Sequence, residues 1–104
     1  MSVLAEFAVF PTDSTESKSE YVAKVLDIID RSGLSYKLTP MGTIIEADST
    51  AEIFELINRA YEVLAQDSDR IYSVLKIDYR RGKSDRMDKK VVSVEQKLGR
   101  KLES

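Results

Sequence analysis

The sequence predicts an α+β domain: a four-stranded antiparallel sheet in the order 4-1-3-2, two helices on one face, and an extra C-terminal helix. Two observations predict it. Segments with apolar residues at every second position, the period of a strand, alternate with segments whose apolar residues recur at helical spacing. Their order is βαββαβ, and right-handed βαβ-type crossovers turn this order into the ferredoxin-like architecture. A chain of 104 residues is expected to form one domain, residues 1–104.

The first third of the chain predicts a strand and a helix. Residues 3–10 place Val3, Ala5, Phe7 and Val9 on one face and Leu4, Glu6, Ala8 and Phe10 on the other. Pro11 is expected to end this strand. Ser17 and Glu20 have the spacing of a capping box at the start of a helix. Gly33 is expected to end that helix.

The middle of the chain predicts a hairpin and a second helix. Residues 34–39 and 43–47 read as two short strands. The turn between them has proline at its second position and glycine at its fourth, a pattern typical of tight turns. Ser49 and Glu52 form a second capping box. The apolar stripe that follows, over residues 53–64, indicates a helix.

The last third predicts a long strand and a third helix. Residues 71–80 alternate, with Tyr72, Val74, Lys76 and Asp78 on one face. The apolar content of this strand suggests a central position, but the order 4-1-3-2 places it at an edge of the sheet. Met87, Val91, Val94 and Leu98 recur at helical spacing and predict an amphipathic C-terminal helix.

Composition excludes several kinds of chemistry. The chain has no cysteine and no histidine, so disulfides, thiolate nucleophiles and histidine-based catalysis or metal binding are excluded. The net charge of −2 gives little general attraction to nucleic acid. No apolar run approaches the length of a membrane span. Because Glu6 interrupts the first apolar run and no basic segment precedes it, a signal peptide is not expected and the cytoplasm is the expected location.

One face of the predicted sheet has no helix to cover it. Its residues share the phase opposite to the helix-side core: Leu4, Glu6, Ala8, Phe10, Lys37, Thr39, Ile44, Glu46, Tyr72, Val74, Lys76 and Asp78. As a bare surface this would be an apolar patch that monomers avoid. Packing against the sheet of another subunit would cover it, and the third helix is expected at a subunit contact. The charges on this face fit either salt bridges of Glu6 or Glu46 with Lys76, or a ligand pocket.

A basic run follows the last strand. It could attract a phosphate group or nucleic acid, and the start of the third helix could bind an anion. The run consists of Arg80, Arg81, Lys83, Arg86, Lys89 and Lys90 and is interrupted by Asp85 and Asp88. The run lacks the interleaved aromatic residues of an RNA-binding sheet, so a solvated turn with ion pairs between subunits is favoured. The loop after the first strand has no arginine, which argues against acylphosphatase chemistry on this fold.

Two segments resemble a known family. Leu38-Thr-Pro-Met-Gly-Thr-Ile-Ile-Glu46 and Lys76-Ile-Asp-Tyr-Arg-Arg-Gly-Lys83 are similar to the signature segments of the MTH1187/YkoF-like family of small thiamine-binding proteins. The resemblance extends over essentially the whole chain. It implies a ferredoxin-like protomer, dimers that pair their sheets, and commonly a homotetramer built as a dimer of dimers. It also implies that thiamine or its hydroxymethylpyrimidine part is bound as a ligand, without catalysis and without a cofactor.

The ligand chemistry suggests which residues bind it. A carboxylate can accept a hydrogen bond from the amine of an aminopyrimidine and can attract a thiazolium cation. Glu46 is the first candidate and Glu6 the second, with Lys76 beside them. Candidate hydroxyl partners are Thr39, Thr43 and Ser73. No catalytic residue and no metal ligand is expected.

Two other functions remain open from the sequence. A structural or regulatory homo-oligomeric module without a small ligand would leave Glu6, Glu46 and Lys76 fully paired with protein groups, with no cavity beside them. A weak enzyme acting on a phosphorylated substrate would need an anion site around Arg80, Arg81 and Lys83.

Overall fold

The structure is a computed structural model that describes residues 2–13, 18–82 and 86–103. Its elements follow the order βαββαβα. They are β1 (Ser2–Pro11), α1 (Lys18–Arg31), β2 (Ser35–Thr39), β3 (Gly42–Ala47), α2 (Thr50–Leu64), β4 (Ile71–Arg80) and α3 (Arg86–Leu98). Every predicted strand and helix is present, and the observed bounds differ from the predicted ones by one or two residues.

The four strands form one antiparallel sheet in the order β2-β3-β1-β4, which is the predicted order read from the other edge. β1 pairs with β4 over its whole length, from Ser2 opposite Arg80 to Pro11 opposite Ile71. It pairs with β3 only from Val3 to Phe7. β4 is therefore an edge strand, and the last residues of β1 extend past the end of β3.

The core lies between the sheet and the two helices α1 and α2. The alternation of β1 is confirmed, because Val3, Ala5, Phe7 and Val9 are all buried. They pack with buried residues from α1, α2 and β3, which are Tyr21, Val25, Ile29, Ile45, Ala47, Ile53, Leu56, Ala60 and Leu64. Burial of these side chains is the main force that holds both helices against one face.

Local signals act at the ends of the elements as the sequence indicates. The Ser49 side chain accepts a hydrogen bond from the backbone N–H of Glu52 and caps α2. Gly33 has a φ of 78°, the left-handed conformation that ends α1. The capping box predicted at Ser17 lies outside the described residues. At the hairpin, a Cβ on Gly42 would lie 3.2 Å from the carbonyl oxygen of Phe7, so glycine allows β3 to approach β1 closely.

The opposite face of the sheet has no helical cover within the described part of the chain. Tyr72 and Val74 are 55% and 43% exposed, and the Tyr72 ring contacts Phe10 with centroids 5.7 Å apart. The helix α3 contains no buried residue, and Val94 and Leu98 on its apolar stripe are exposed. Over residues 2–13, 18–82 and 86–103, no helix is long and apolar enough to span a membrane.

Candidate functional site

The side chain of Glu46 joins the sheet to the start of α3. Its Oε2 atom accepts hydrogen bonds from the hydroxyl of Ser2 at 2.8 Å and from the backbone N–H of Arg86 at 2.9 Å. Its Oε1 atom accepts one from the backbone N–H of Met87 at 3.1 Å. The first amides of a helix have no partner within the helix and attract negative charge. Glu46 therefore occupies the anion position at the start of α3.

Arg86 fixes the same junction through its side chain, which is only 10% exposed. Its Nη1 atom lies 2.9 Å from Oδ2 of Asp78. Its Nε donates to the hydroxyl of Ser2 at 3.3 Å, and its Nη2 donates to the carbonyl oxygens of Ser2 and Asp78. The prediction of a solvated basic turn is thus wrong for Arg86, since β1 and β4 supply oxygen acceptors that the sequence does not reveal.

Opposing effects act on the pKa of the Glu46 carboxyl. Burial raises the pKa, but hydrogen bonds from the Arg86 and Met87 amides and the Ser2 hydroxyl, together with the Arg86 charge, lower it. The net result is a pKa below the ordinary value of 4.5. Glu46 is therefore ionised at neutral pH, which is the state that a cationic or amine-bearing ligand requires.

A small polar cavity of about 220 Å³ lies beside Glu46. It is lined by Ser2, Gly33, Leu34, Ser35, Glu46, Ala47 and Asp48. A carboxylate offers about four acceptor positions, and Glu46 uses three of them for Ser2, Arg86 and Met87. One acceptor position remains, and the second carboxylate, Asp48, is exposed. The cavity can therefore hold a small ring that donates hydrogen bonds or carries positive charge.

Glu6 and Lys76, also predicted as site residues, lie on the open sheet face but away from this cavity. They are directly opposite each other in the β1–β4 register, and Lys76 Nζ lies 3.7 Å from Glu6 Oε1. Glu46 is opposite Leu4 instead. Of the two salt bridges that the sequence allowed, the pair formed is Glu6 with Lys76. It is exposed to solvent and weak.

The three predicted hydroxyl partners lie apart from Glu46. Thr39 donates a hydrogen bond of 2.8 Å to the carbonyl of Gly42 within the hairpin turn. Thr43 is 5% exposed and, like Ile45, points to the helix side of the sheet. Ser73 also lies on the helix side, where its hydroxyl is hydrogen-bonded to Tyr61. Thr43 and Ser73 lie on the sheet face opposite Glu46. They pair with Phe7 and Val9, whose side chains face the helices, whereas Glu46 pairs with Leu4 on the other face.

Four contributors to the site were not selected from the sequence: Ser2, Ser35, Asp48 and Arg86. For two of them, the strand pattern indicates a position near Glu46. Ser2 shares the phase of Leu4 and Glu6, and Ser35 lies opposite Glu46 in the hairpin register. Among the residues that the structure describes, no cluster of acidic side chains has the arrangement of a metal site.

Together, the fold and the site define a small α+β protein with an ionised carboxylate at the wall of a polar cavity. The model of the thiamine-binding protein family matches residues 5–95. The chain belongs to this family, as its resemblance to the small thiamine-binding proteins predicted.

Two relatives are similar in sequence to this chain over nearly its full length. A UPF0045 protein from Mycobacterium bovis is 38% identical over 98 residues, which are 94% of this chain and 96% of the relative. A UPF0045 protein from Methanothermobacter thermautotrophicus is 37% identical, covering 92% of this chain and 99% of the relative.

Solved structures share the fold. A hypothetical protein from Methanocaldococcus jannaschii has a TM-score of 0.80 at 30% identity, with 91% of this chain and 97% of that chain covered. A Thermotoga maritima protein, proposed to act in thiamine biosynthesis or salvage, has a TM-score of 0.77 at 23% identity, with 90% and 99% covered.

Proposed function

We propose that the protein binds thiamine or its hydroxymethylpyrimidine part in the cavity beside Glu46, without catalysing a reaction, as a cytoplasmic homo-oligomer. One observation carries the proposal: in a member of the thiamine-binding family, an ionised carboxylate lines a polar cavity of about 220 Å³. This volume lies just below the range of typical ligand pockets, about 300–1,000 Å³, and suits a single small ring.

The residues around the cavity match the groups of an aminopyrimidine. Its exocyclic amine donates to the free acceptor position of Glu46, a charge-assisted hydrogen bond. The hydroxyl of Ser35, which lies opposite Glu46 in the hairpin, donates to a ring nitrogen. In intact thiamine, the thiazolium cation lies toward the exposed carboxylate of Asp48, where opposite charges attract.

The open sheet face supports the oligomeric part of the proposal. Leu4, Ala8 and Phe10 are only half-buried there, and Tyr72 and Val74 are exposed. A contiguous apolar face of this kind is typical of a surface that another subunit covers. Sheet-to-sheet packing in a dimer, and a dimer of dimers, would remove it from water.

A second candidate function is a homo-oligomeric interaction module without a ligand. The observation in its favour is that Glu46 already accepts three hydrogen bonds from the protein and that Glu6 pairs with Lys76. These contacts are expected of an interaction module without a ligand. The cavity beside Glu46 is not expected of such a module, and its presence therefore favours ligand binding.

Isothermal titration calorimetry with thiamine and with hydroxymethylpyrimidine tests the proposal. We expect saturable binding of both. A thiamine analogue that carries oxygen in place of the pyrimidine amine serves as the control, and it should bind at least about tenfold more weakly because a carboxylate facing a carbonyl oxygen loses its hydrogen bond. Absence of heat and of any thermal shift at millimolar thiamine would contradict the proposal and favour the interaction module.

A further inference from the structure

A chain of two hydrogen bonds runs from the guanidinium of Arg86 through the hydroxyl of Ser2 to the carboxylate of Glu46. Nε of Arg86 lies 3.3 Å from Oγ of Ser2, and that oxygen lies 2.8 Å from Oε2 of Glu46. A guanidinium carries only donors, and an ionised carboxylate carries only acceptors. The Ser2 hydroxyl therefore accepts from Arg86 and donates its one hydrogen to Glu46, which fixes the direction of both bonds.

Ser2 has little freedom to make any other contact. The residue is 2% exposed, and its carbonyl oxygen also accepts a hydrogen bond of 3.3 Å from Nη2 of Arg86. The guanidinium is held in turn by Asp78 at 2.9 Å. Turning the hydroxyl away from Glu46 would leave a buried donor without a partner, which is costly. Although Ser2 lines the cavity, its hydrogen is thus committed to Glu46 and is not offered to a ligand.

The chain of hydrogen bonds makes the two oxygens of Glu46 unequal. Oε2 accepts from the Ser2 hydroxyl at 2.8 Å and from the backbone N–H of Arg86 at 2.9 Å. From the residues that the structure describes, Oε1 accepts one hydrogen bond, from the backbone N–H of Met87 at 3.1 Å. Each carboxylate oxygen offers about two acceptor positions. Oε2 is therefore filled, and the open position lies on Oε1.

We propose that Ser2 is a positioning residue of the ligand site, and that the site selects ligands which present a single amine hydrogen to Oε1 of Glu46. The exocyclic amine of an aminopyrimidine makes one such contact. A planar amidinium or guanidinium, which pairs with both oxygens of a carboxylate at once, is disfavoured because Ser2 and α3 occupy Oε2. This selection rests on the proposed function, binding of thiamine or its pyrimidine part at Glu46, and names the class of donor that the site takes.

Two substitutions of Ser2 test the positioning role. Ser2→Ala removes the hydroxyl, whereas Ser2→Thr keeps it on a residue type that suits a strand. In titration calorimetry with hydroxymethylpyrimidine, Ser2→Ala should bind about tenfold more weakly, the effect of losing a hydrogen bond to a charged group, and Ser2→Thr should recover most of the affinity. Ser73→Ala is the matched control. It also removes a hydrogen-bonded serine hydroxyl, whose partner is Tyr61, but it lies outside the cavity and should leave the affinity unchanged.

The carboxyl carbon of Glu46, followed by NMR as the pH is lowered, shows whether Ser2 acts through this group. The hydroxyl donates to the ionised form, and such a bond lowers the pKa of the carboxyl. Ser2→Ala should therefore raise the pKa of Glu46, Ser2→Thr should restore it, and Ser73→Ala should leave it unchanged. A role in stability alone would lower the melting temperature of Ser2→Ala without moving this pKa, and that result would overturn the proposal.

Benzamidinium, a small ring that presents two hydrogens in one plane, tests the selected class of ligand. The parent protein should bind it at least about tenfold more weakly than hydroxymethylpyrimidine, because paired hydrogen bonds need both oxygens of Glu46. Ser2→Ala leaves an open position on each oxygen and should narrow this difference. Equal affinity of the parent protein for the two ligands would overturn the selection.

The same titrations separate this proposal from the proposed function. If the parent protein binds neither thiamine nor hydroxymethylpyrimidine, the proposed function fails and the selection fails with it. If the parent protein binds hydroxymethylpyrimidine and Ser2→Ala binds it equally well, the proposed function stands and the positioning role of Ser2 is wrong.

Discussion

The carboxylate of Glu46 on β3 accepts a hydrogen bond of 2.9 Å from the backbone N–H of Arg86, the first residue of α3. This bond joins the β2–β3 hairpin to the C-terminal helix, although the two residues are 40 positions apart in the sequence. The same carboxylate lines the polar cavity. The proposed ligand binding and the anchoring of α3 therefore involve the same side chain, and substitutions must be chosen to separate the two.

The substitutions Asp48→Asn and Glu46→Gln separate the proposed ligand contact from the anchoring of α3. Both residues line the cavity, but Glu46 alone accepts hydrogen bonds from α3. Asp48→Asn should weaken thiamine binding by about 0.2–1 kcal/mol, the range of an exposed ion pair, and leave stability unchanged. Glu46→Gln should weaken binding by about 1.5–3 kcal/mol, since it removes a charged hydrogen bond, and also destabilise the protein. Calorimetry and urea unfolding measure the two effects.

Asp88→Asn is the matched control, because Asp88 lies in the first turn of α3 but does not line the cavity. It should leave thiamine affinity unchanged. If Glu46→Gln binds thiamine as tightly as the parent protein, the ligand does not contact Glu46 and the proposed pocket is wrong.

Arg86→Lys should destabilise the protein although charge is conserved. The guanidinium contacts Asp78 and Ser2 through several nitrogens while only 10% exposed. Lysine has one nitrogen and cannot reproduce these directions. We expect a loss of about 1–3 kcal/mol in the free energy of unfolding, the cost of a lost charged hydrogen bond.

The control for Arg86 is Arg59→Lys. Arg59 pairs with Glu55 at 2.7 Å, but the two side chains are 57% and 64% exposed, so the change should cost less than about 0.5 kcal/mol. Equal losses for the two variants in urea titrations would show that the junction at Arg86 contributes no more than a surface pair.

The low pKa of Glu46 predicts how stability depends on pH. In the folded protein the pKa lies below the ordinary 4.5, so the folded state binds this proton more weakly than the unfolded state. The stabilisation is present above pH 4.5 and is lost as the pH falls through the folded pKa. The difference in unfolding free energy between the parent protein and Glu46→Gln should be constant near neutral pH and should shrink below pH 4.5. A difference that grows on acidification would contradict the assigned direction.

The fold was predictable because each element carries its own local signal. The alternation of Val3, Ala5, Phe7 and Val9 fixes which face of β1 is buried, and the tight turn at Pro40 and Gly42 fixes the hairpin. Short connections and right-handed crossovers then leave few arrangements. The strand order required no information beyond these patterns.

The site was predictable only in part. Glu46 could be selected because it ends a recognisable segment, but its partners depend on distant contacts. Arg86 contacts Ser2, which is 84 positions away in the sequence. The spacing of apolar residues does not predict such a contact. The hydroxyl of Ser73 suits a ligand, but the strand period places it on the helix side of the sheet, where it is hydrogen-bonded to Tyr61. Side-chain chemistry is visible in a sequence, whereas the partner of a polar group is decided by tertiary packing.

Glu6→Gln distinguishes the proposed pocket from the alternative carboxylate. Glu6 lies in the middle of the open sheet face and makes a 3.7 Å contact with Lys76, whose side chain is 75% exposed. Such a pair contributes about 0–1 kcal/mol, so stability should change by no more than that. Neither Glu6 nor Lys76 lines the cavity beside Glu46, so thiamine affinity should stay close to the parent value. Lys76→Gln, which removes the other partner, should behave in the same way. Should Glu6→Gln abolish binding while Glu46→Gln retains it, the ligand lies on the open sheet face between subunits, and the cavity at the start of α3 serves only to anchor the helix.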